Sequence, residues 1–252
     1  MTKLLHCIAS GLVGLLLCTT TQANEVRVAV AANFAATLKA LAVNFEKNTG
    51  HKVLLSAGAS GKLYAQINSG APFDLFLSAD DETAAKLERN GTALAGSRFT
   101  YAIGKLVLWS AEPNFVDAQA QVLTTGQFKH LALASPSLAP YGAAALETLS
   151  RLGLIDGLRA RLVQGESIGQ TYSFVATGNA ELGFVALSQV FEAGKIRQGS
   201  LWIVPPDLYR PLRQDAVLLA RARNNPAAAA LLAFLKSDAS RQVIRSFGYE
   251  TP

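Results

Sequence analysis

Three small, neutral positions, Asn33 and the Ser60-Gly61 pair, stand where strand-like runs give way to helical spacing. Residues 26–30 are a short β-branched run, after which Asn33 opens an apolar pattern at Leu38, Leu41, Ala42 and Phe45 with helical periodicity. Residues 53–55 read as the next strand, and Ser60-Gly61 opens a second helix through Leu63, Tyr64 and Ile67. A helix start carries N–H groups without intrahelical acceptors and the positive end of the peptide dipole, so it holds an anion without any cationic side chain. Two such starts on neighbouring parallel strands face one crevice. The pattern points to anion capture by neutral donors.

Covalent chemistry has less behind it. Gly58-Ala59-Ser60-Gly61 partly matches the G-x-S-x-G elbow that exposes a nucleophilic serine in α/β hydrolases, but the last position is Lys62. Past the N-terminal segment only His51 and His130 could act as base, and both read as solvated loop residues beside strands. A serine hydrolase is thus the remote alternative, and the chain is read as no enzyme. Two isolated histidines without clustered carboxylates make no zinc or iron pattern. Asp80-Asp81-Glu82 reads as a helix N-terminus with favourable charges. Lys62, two places into its helix, is expected to run along the helix flank.

The elements that must position these groups alternate between strand and helix along the whole chain of 252 residues, which predicts an α/β fold with mostly parallel sheets. Helices are expected over 82–90, 143–152, 168–177, 226–236 and 240–247. Strands are expected over 131–134, 162–164, 182–185, 201–204 and 217–220, and 99–110 is a long strand-like stretch interrupted at Gly104. The second half repeats the plan of the first. Two doubly wound lobes joined by a two-strand hinge follow, with residues 24–104 and 213–252 in lobe one and 105–212 in lobe two. Such a hinge lets two lobes close around a ligand.

Residues 1–23 read as a cleaved signal peptide: Lys3 gives the charged start, 4–18 the apolar stretch, and Thr21-Gln22-Ala23 the cleavage site. Both cysteines, Cys7 and Cys18, fall inside it, so the exported chain would have neither disulfide nor thiolate. Leu17 is too large for a lipoprotein signal at Cys18. Losing Lys3 leaves 22 basic residues against 18 acidic ones. The cations are scattered, with no basic run and no basic–aromatic interleaving, which argues against a nucleic-acid partner.

Gly70-Ala71-Pro72-Phe73-Asp74-Leu75-Phe76-Leu77-Ser78-Ala79-Asp80 resembles the GAPADLFxSAD signature of periplasmic molybdate-binding proteins of ABC importers. The resemblance also takes in Ala31-Ala32-Asn33, the S-x-x-A-S run of 56–60, Pro140-Tyr141-Gly142, Leu182-Gly183-Phe184-Val185 and the closing Phe247-Gly248-Tyr249. It implies a type II binding fold that closes on a tetrahedral oxyanion, molybdate and also tungstate, and delivers it to an inner-membrane ABC permease. It implies a periplasmic monomer with no cofactor, whose only metal is the molybdenum of its cargo. The implied ligand residues fall on Asn33 (side-chain amide and N–H), Ser60 (hydroxyl and N–H), and the N–H groups of Tyr141 and Ile168, with Ala32 and Gly61 lining the pocket. One position departs: where many relatives carry a Tyr hydroxyl after the Gly-x-Val strand, this chain has Ala186. A carrier of sulfate or another tetrahedral oxyanion is the alternative. A carboxylate ligand would call for an Arg clamp, and no Arg stands near the four turns.

Overall fold

The computed structural model describes residues 24–252, so the signal-peptide reading lies outside the described residues. Lobe one opens with β1 (Glu25–Ala31), α1 (Ala35–Thr49), β2 (Lys52–Gly58), α2 (Ser60–Asn68), β3 (Leu75–Leu77), α3 (Glu82–Arg89) and β4 (Phe99–Gly104). Lobe two follows with β5 (Leu106–Ser110), α4 (Val122–Thr125), β6 (Leu131–Ala134), α5 (Pro140–Arg151), α6 (Ile155–Leu158), β7 (Leu162–Gly165), α7 (Ile168–Ala176) and β8 (Leu182–Ala186). It ends with α8 (Leu187–Val190), a hairpin of β9 (Phe191–Glu192) and β10 (Lys195–Ile196), and β11 (Ser200–Ile203). The chain then returns through β12 (Leu212–Leu218) to α9 (Pro226–Leu235) and α10 (Asp238–Ser246).

Two five-stranded sheets result, ordered β2-β1-β3-β12-β4 and β11-β5-β8-β6-β7. In each, the strands that feed anion-facing turns are parallel: β1 with β2 and β3, and β6 with β7 and β8. The α/β class and the two-lobed fold expected from the sequence are found. Each sheet is sandwiched between two apolar clusters, one on each face, with Val28, Val30, Phe34, Leu38 and Leu231 among the fully buried residues of lobe one, and Leu106, Leu108, Leu131 and Phe184 in lobe two. Parallel strands covered on both faces explain why β1, β3, β6 and β8 read as continuous apolar runs rather than alternating ones.

The short helices α4, α6 and α8 and the β9–β10 hairpin were not expected from the sequence, α10 begins at Asp238 rather than at residue 240, and two further differences bear on the site. Helix α5 begins at Pro140 rather than at residue 143, because proline at the first helical position loses nothing by lacking an N–H. Strand β12 spans Leu212–Leu218 rather than 217–220. Its polar Arg213, Gln214 and Asp215 conceal it from an apolar-run criterion, yet Gln214 and Asp215 are fully buried.

The lobes are joined where β4 passes through Lys105 into β5, and again between β11 and β12. At the first crossing Gly104 permits a close approach: a Cβ there would run into the Tyr141 hydroxyl and the Gln214 amide. Gly104→Ala should therefore cost about 1–3 kcal/mol through overpacking. Denaturant unfolding of the ligand-free protein checks this, and an unshifted midpoint would show that Tyr141 and Gln214 can move aside freely.

Candidate oxyanion-binding site

Four chain turns meet between the lobes. Strand β1 runs into a one-turn 3-10 helix over Ala32–Phe34, β2 into α2, the loop after β6 into α5, and β7 into α7. Their first residues enclose a cavity of about 10 Å3 bounded by Ala32, Asn33, Ser60, Tyr141 and Ile168, with methyl groups of Ala31, Ala59, Ala79 and Ala139 in the wall. That is space for roughly one water-sized sphere, so a larger anion enters only as the two lobes separate around it. No charged side chain lines it.

The backbone donors follow from helix geometry. Asn33, Ser60, Tyr141 and Ile168 occupy first-turn positions, where an N–H has no intrahelical acceptor. None of the four N–H groups finds a backbone acceptor elsewhere among the described residues. The Ser60 hydroxyl oxygen accepts from Ala79 N–H at 2.9 Å, which fixes its rotamer and leaves its proton free to donate. Ile168 is held through its carbonyl, which accepts from Gln189 Nε2 at 3.1 Å, while Gln189 Oε1 accepts from Ala186 N–H at 3.0 Å. Ser167 caps α7 by accepting from Gln170 N–H.

The expected residues do not all stand in the same relation to this cavity. Asn33, Ser60, Tyr141, Ile168 and Ala32 are brought together around it. Gly61 is not: its N–H donates across the cleft to the Leu138 carbonyl at 2.9 Å, and the cavity does not reach it. The Asn33 amide also differs from expectation. Its Nδ2 is engaged with Gln214 Oε1 at 2.8 Å and the Tyr249 hydroxyl at 3.0 Å, while its buried Oδ1 has no partner. Lys62 leaves the site along the helix flank, pairing at 2.5 Å with Glu166 of the other lobe. His51, read as solvated, is buried against Phe45 and accepts from Asn24 N–H at 3.2 Å. His130 is exposed. Neither histidine bonds Ser60, whose hydroxyl partner is Ala79, so the serine lacks a base.

Behind the cavity lies a polar network that sequence reasoning missed. Gln214 Nε2 donates to the Tyr141 hydroxyl at 3.1 Å, and the Tyr101 hydroxyl lies 2.9 Å from the Ser78 carbonyl and 3.1 Å from Gln214 Oε1. The Tyr249 proton sits between the Asn33 carbonyl and Ser188 Oγ, both 2.8 Å away, and Ser188 donates to that carbonyl at 3.0 Å. Burial raises the pKa of Tyr101, Tyr141 and Tyr249 well above the ordinary phenol value, so all three stay neutral beside an anion site. The sequence signals here were Asn33, Tyr141 and the terminal Phe247-Gly248-Tyr249 motif; Gln214, Ser188 and Tyr101 carried none.

Residues 26–250 match the family model described as bacterial extracellular solute-binding protein. The chain belongs to that family. This solute-binding protein is 58% identical over 236 residues to the molybdate-binding protein ModA of Azotobacter vinelandii, covering 94% of this chain and 93% of that one. It is 51% identical over 229 residues to ModA of Rhodobacter capsulatus, covering 91% and 89%. A solved structure of the Azotobacter vinelandii periplasmic molybdate-binding protein superimposes with a TM-score of 0.88 at 46% identity, over 90% of this chain and 100% of that one.

Because Lys62 and Glu166 are half exposed, their pair should contribute at most about 1 kcal/mol. Lys62→Gln should then change oxyanion affinity by less than roughly fivefold, measured by calorimetry; a larger loss would mean that the ammonium reaches the anion.

Proposed function

We propose that this protein captures molybdate, and also tungstate, between its lobes and hands it to an inner-membrane ABC permease. The observation that carries the reading is the convergence of four unpaired first-turn N–H groups and one serine hydroxyl on a small cavity without charged side chains. The names of the relatives at 58% and 51% identity add to it. On this reading Asn33, Ser60, Tyr141 and Ile168 are the ligand residues, and Ala32 is wall. Residues 24–104 with 213–252 move as one body against 105–212. The protein works in the periplasm as a monomer, without a cofactor and without catalysis.

The energetics are consistent. Micromolar to nanomolar binding requires about 8–12 kcal/mol. Five or more charge-assisted hydrogen bonds at roughly 1.5–3 kcal/mol each reach that range gross, with the excess offset by desolvation and lost freedom of ligand and lobes. A cavity that presents donors to every ligand oxygen favours a fully deprotonated dianion, since a protonated oxyanion brings a hydroxyl that needs an acceptor.

Calorimetry of the ligand-free mature protein against molybdate, tungstate, sulfate and phosphate tests the reading. Tight binding of the first two with silence from sulfate is expected. Sulfate binding alone would replace the cargo, and no binding would remove the proposal. Ser60→Ala removes one donor and leaves Ala79 N–H unpaired, so molybdate affinity should fall by about 10- to 150-fold with unchanged circular dichroism.

A further inference from the structure

The buried amides of Asn33 and Gln214 leave two polar atoms badly served. Asn33 Oδ1 has no hydrogen-bond partner, in a residue 2% exposed that borders the cavity. The Tyr141 hydroxyl accepts from Gln214 Nε2, so its own proton is left without an acceptor among the described residues. Buried polar groups are almost always paired, and an exception calls for an explanation.

One change repairs both. An amide's oxygen and nitrogen are nearly the same size, so turning both amides over by half a turn keeps the heavy-atom packing. Gln214 Nε2 would then donate to Asn33 Oδ1 across the present 2.8 Å contact and to the Tyr101 hydroxyl across 3.1 Å, while Tyr101 donates to the Ser78 carbonyl. Gln214 Oε1 would accept the Tyr141 proton across 3.1 Å. Tyr249, 3.0 Å from the same side of the Asn33 amide, would donate to Asn33 Oδ1. The group left without a protein partner becomes Asn33 Nδ2, a donor, in the place now held by the unpartnered oxygen.

We propose that Gln214 is a positioning residue for the oxyanion site: with both amides in this orientation it holds the Asn33 side chain so that Nδ2 joins the donors. This rests on the oxyanion reading above and supplies the extra donor that the chain lacks at Ala186. A glutamine suits the task because either end of its amide can meet Asn33. Gln214 touches both lobes at once, through Asn33 of the 3-10 turn and Tyr141 of α5, so it sets the Asn33 amide where the two lobes meet.

A double-mutant cycle with sodium molybdate, read by calorimetry, tests this. Gln214→Met, close in volume and without polar hydrogens, should weaken binding at least tenfold in the wild-type background and by less than twofold in the Asn33→Ala background. Losses that simply multiply in the double variant would make Gln214 a packing residue only and overturn the proposal, as would wild-type affinity of Gln214→Met. Should Gln214→Met fail to fold, the wild-type protein decides. The side-chain 15N–1H amide resonances of Asn33 and Gln214 should both shift when molybdate is added, and an unmoved Gln214 resonance overturns the proposal. A wild-type protein that binds molybdate while the cycle is multiplicative loses only the positioning role of Gln214; one that binds no oxyanion loses both readings.

Discussion

Everything in this molecule is arranged around backbone donors that the fold itself cannot satisfy. A helix must begin with N–H groups that lack intrahelical acceptors, and most proteins spend them on caps or water. Here α7 caps one of its own through Ser167, and α2 sends its Gly61 N–H across the cleft to Leu138. The first residue or two of each turn is left bare, facing its counterparts in the opposite lobe across a space walled by alanine methyls. Methyl walls exclude water and supply no competing acceptor. The small residues at 31, 32, 59, 79 and 139 are therefore as necessary as the donors, because a larger side chain at any of them would fill the cavity.

That arrangement has to be assembled from two bodies, and β12 is where they are tied. The strand brings the chain back to lobe one, pairs with β3 and β4, and carries Gln214 directly behind the cavity. Its pairing with β4 shifts register between Gln214 and Asp215, where Tyr101 becomes the extra residue. Bulges of this kind re-aim side chains beside functional sites, and this one lets the Tyr101 hydroxyl reach both Ser78 and Gln214. The next residue, Asp215, is buried but neutralised by Arg98 at 2.5 Å, and it also accepts a hydrogen bond from the Thr100 hydroxyl at 2.7 Å. A negative charge close to the oxyanion cavity is thus cancelled locally, and the potential in the cavity is left to the helix termini.

The sequence disclosed the parts of this design that depend on local chemistry. Apolar runs revealed β1, β3, β6 and β8, and the strand-to-helix junctions at Asn33, Ser60 and Ile168 were legible because helix starts follow spacing rules. The signature stretch from Gly70 to Asp80 carried the family resemblance although its residues mostly build a buried strand and a cap, with Asp80 accepting from Thr83 N–H at 2.6 Å. What stayed hidden depends on partners remote in the chain. Gln214 lies 181 residues from Asn33 and 73 from Tyr141, so nothing in its neighbourhood distinguishes it from a surface glutamine. His51 was misread for the same reason: Phe45 and Asn24 bury it through packing that no local pattern records. The role of Gly61 changed because Leu138, in the other lobe, takes its N–H.

Neutral donors also bear on release, the step a carrier must not make too slow. A lysine or arginine in the cavity would hold a dianion by a charge that persists whether the lobes are open or closed. First-turn N–H groups act differently, because their contribution depends on all of them meeting the anion together in a dry space. On the proposed reading three of the five donors belong to lobe one and two, the Tyr141 and Ile168 N–H groups, to lobe two, so parting the lobes would remove those two at once and admit water to Asn33 and Ser60. Affinity is thereby tied to closure, and anything that pulls the lobes apart lowers it steeply without touching the ligand. At the rim the lobes are tied by the Gly61–Leu138 hydrogen bond and the half-exposed Lys62–Glu166 pair, while the Gln214–Tyr141 and Ser188–Asn33 bonds tie them deeper, on the hinge side.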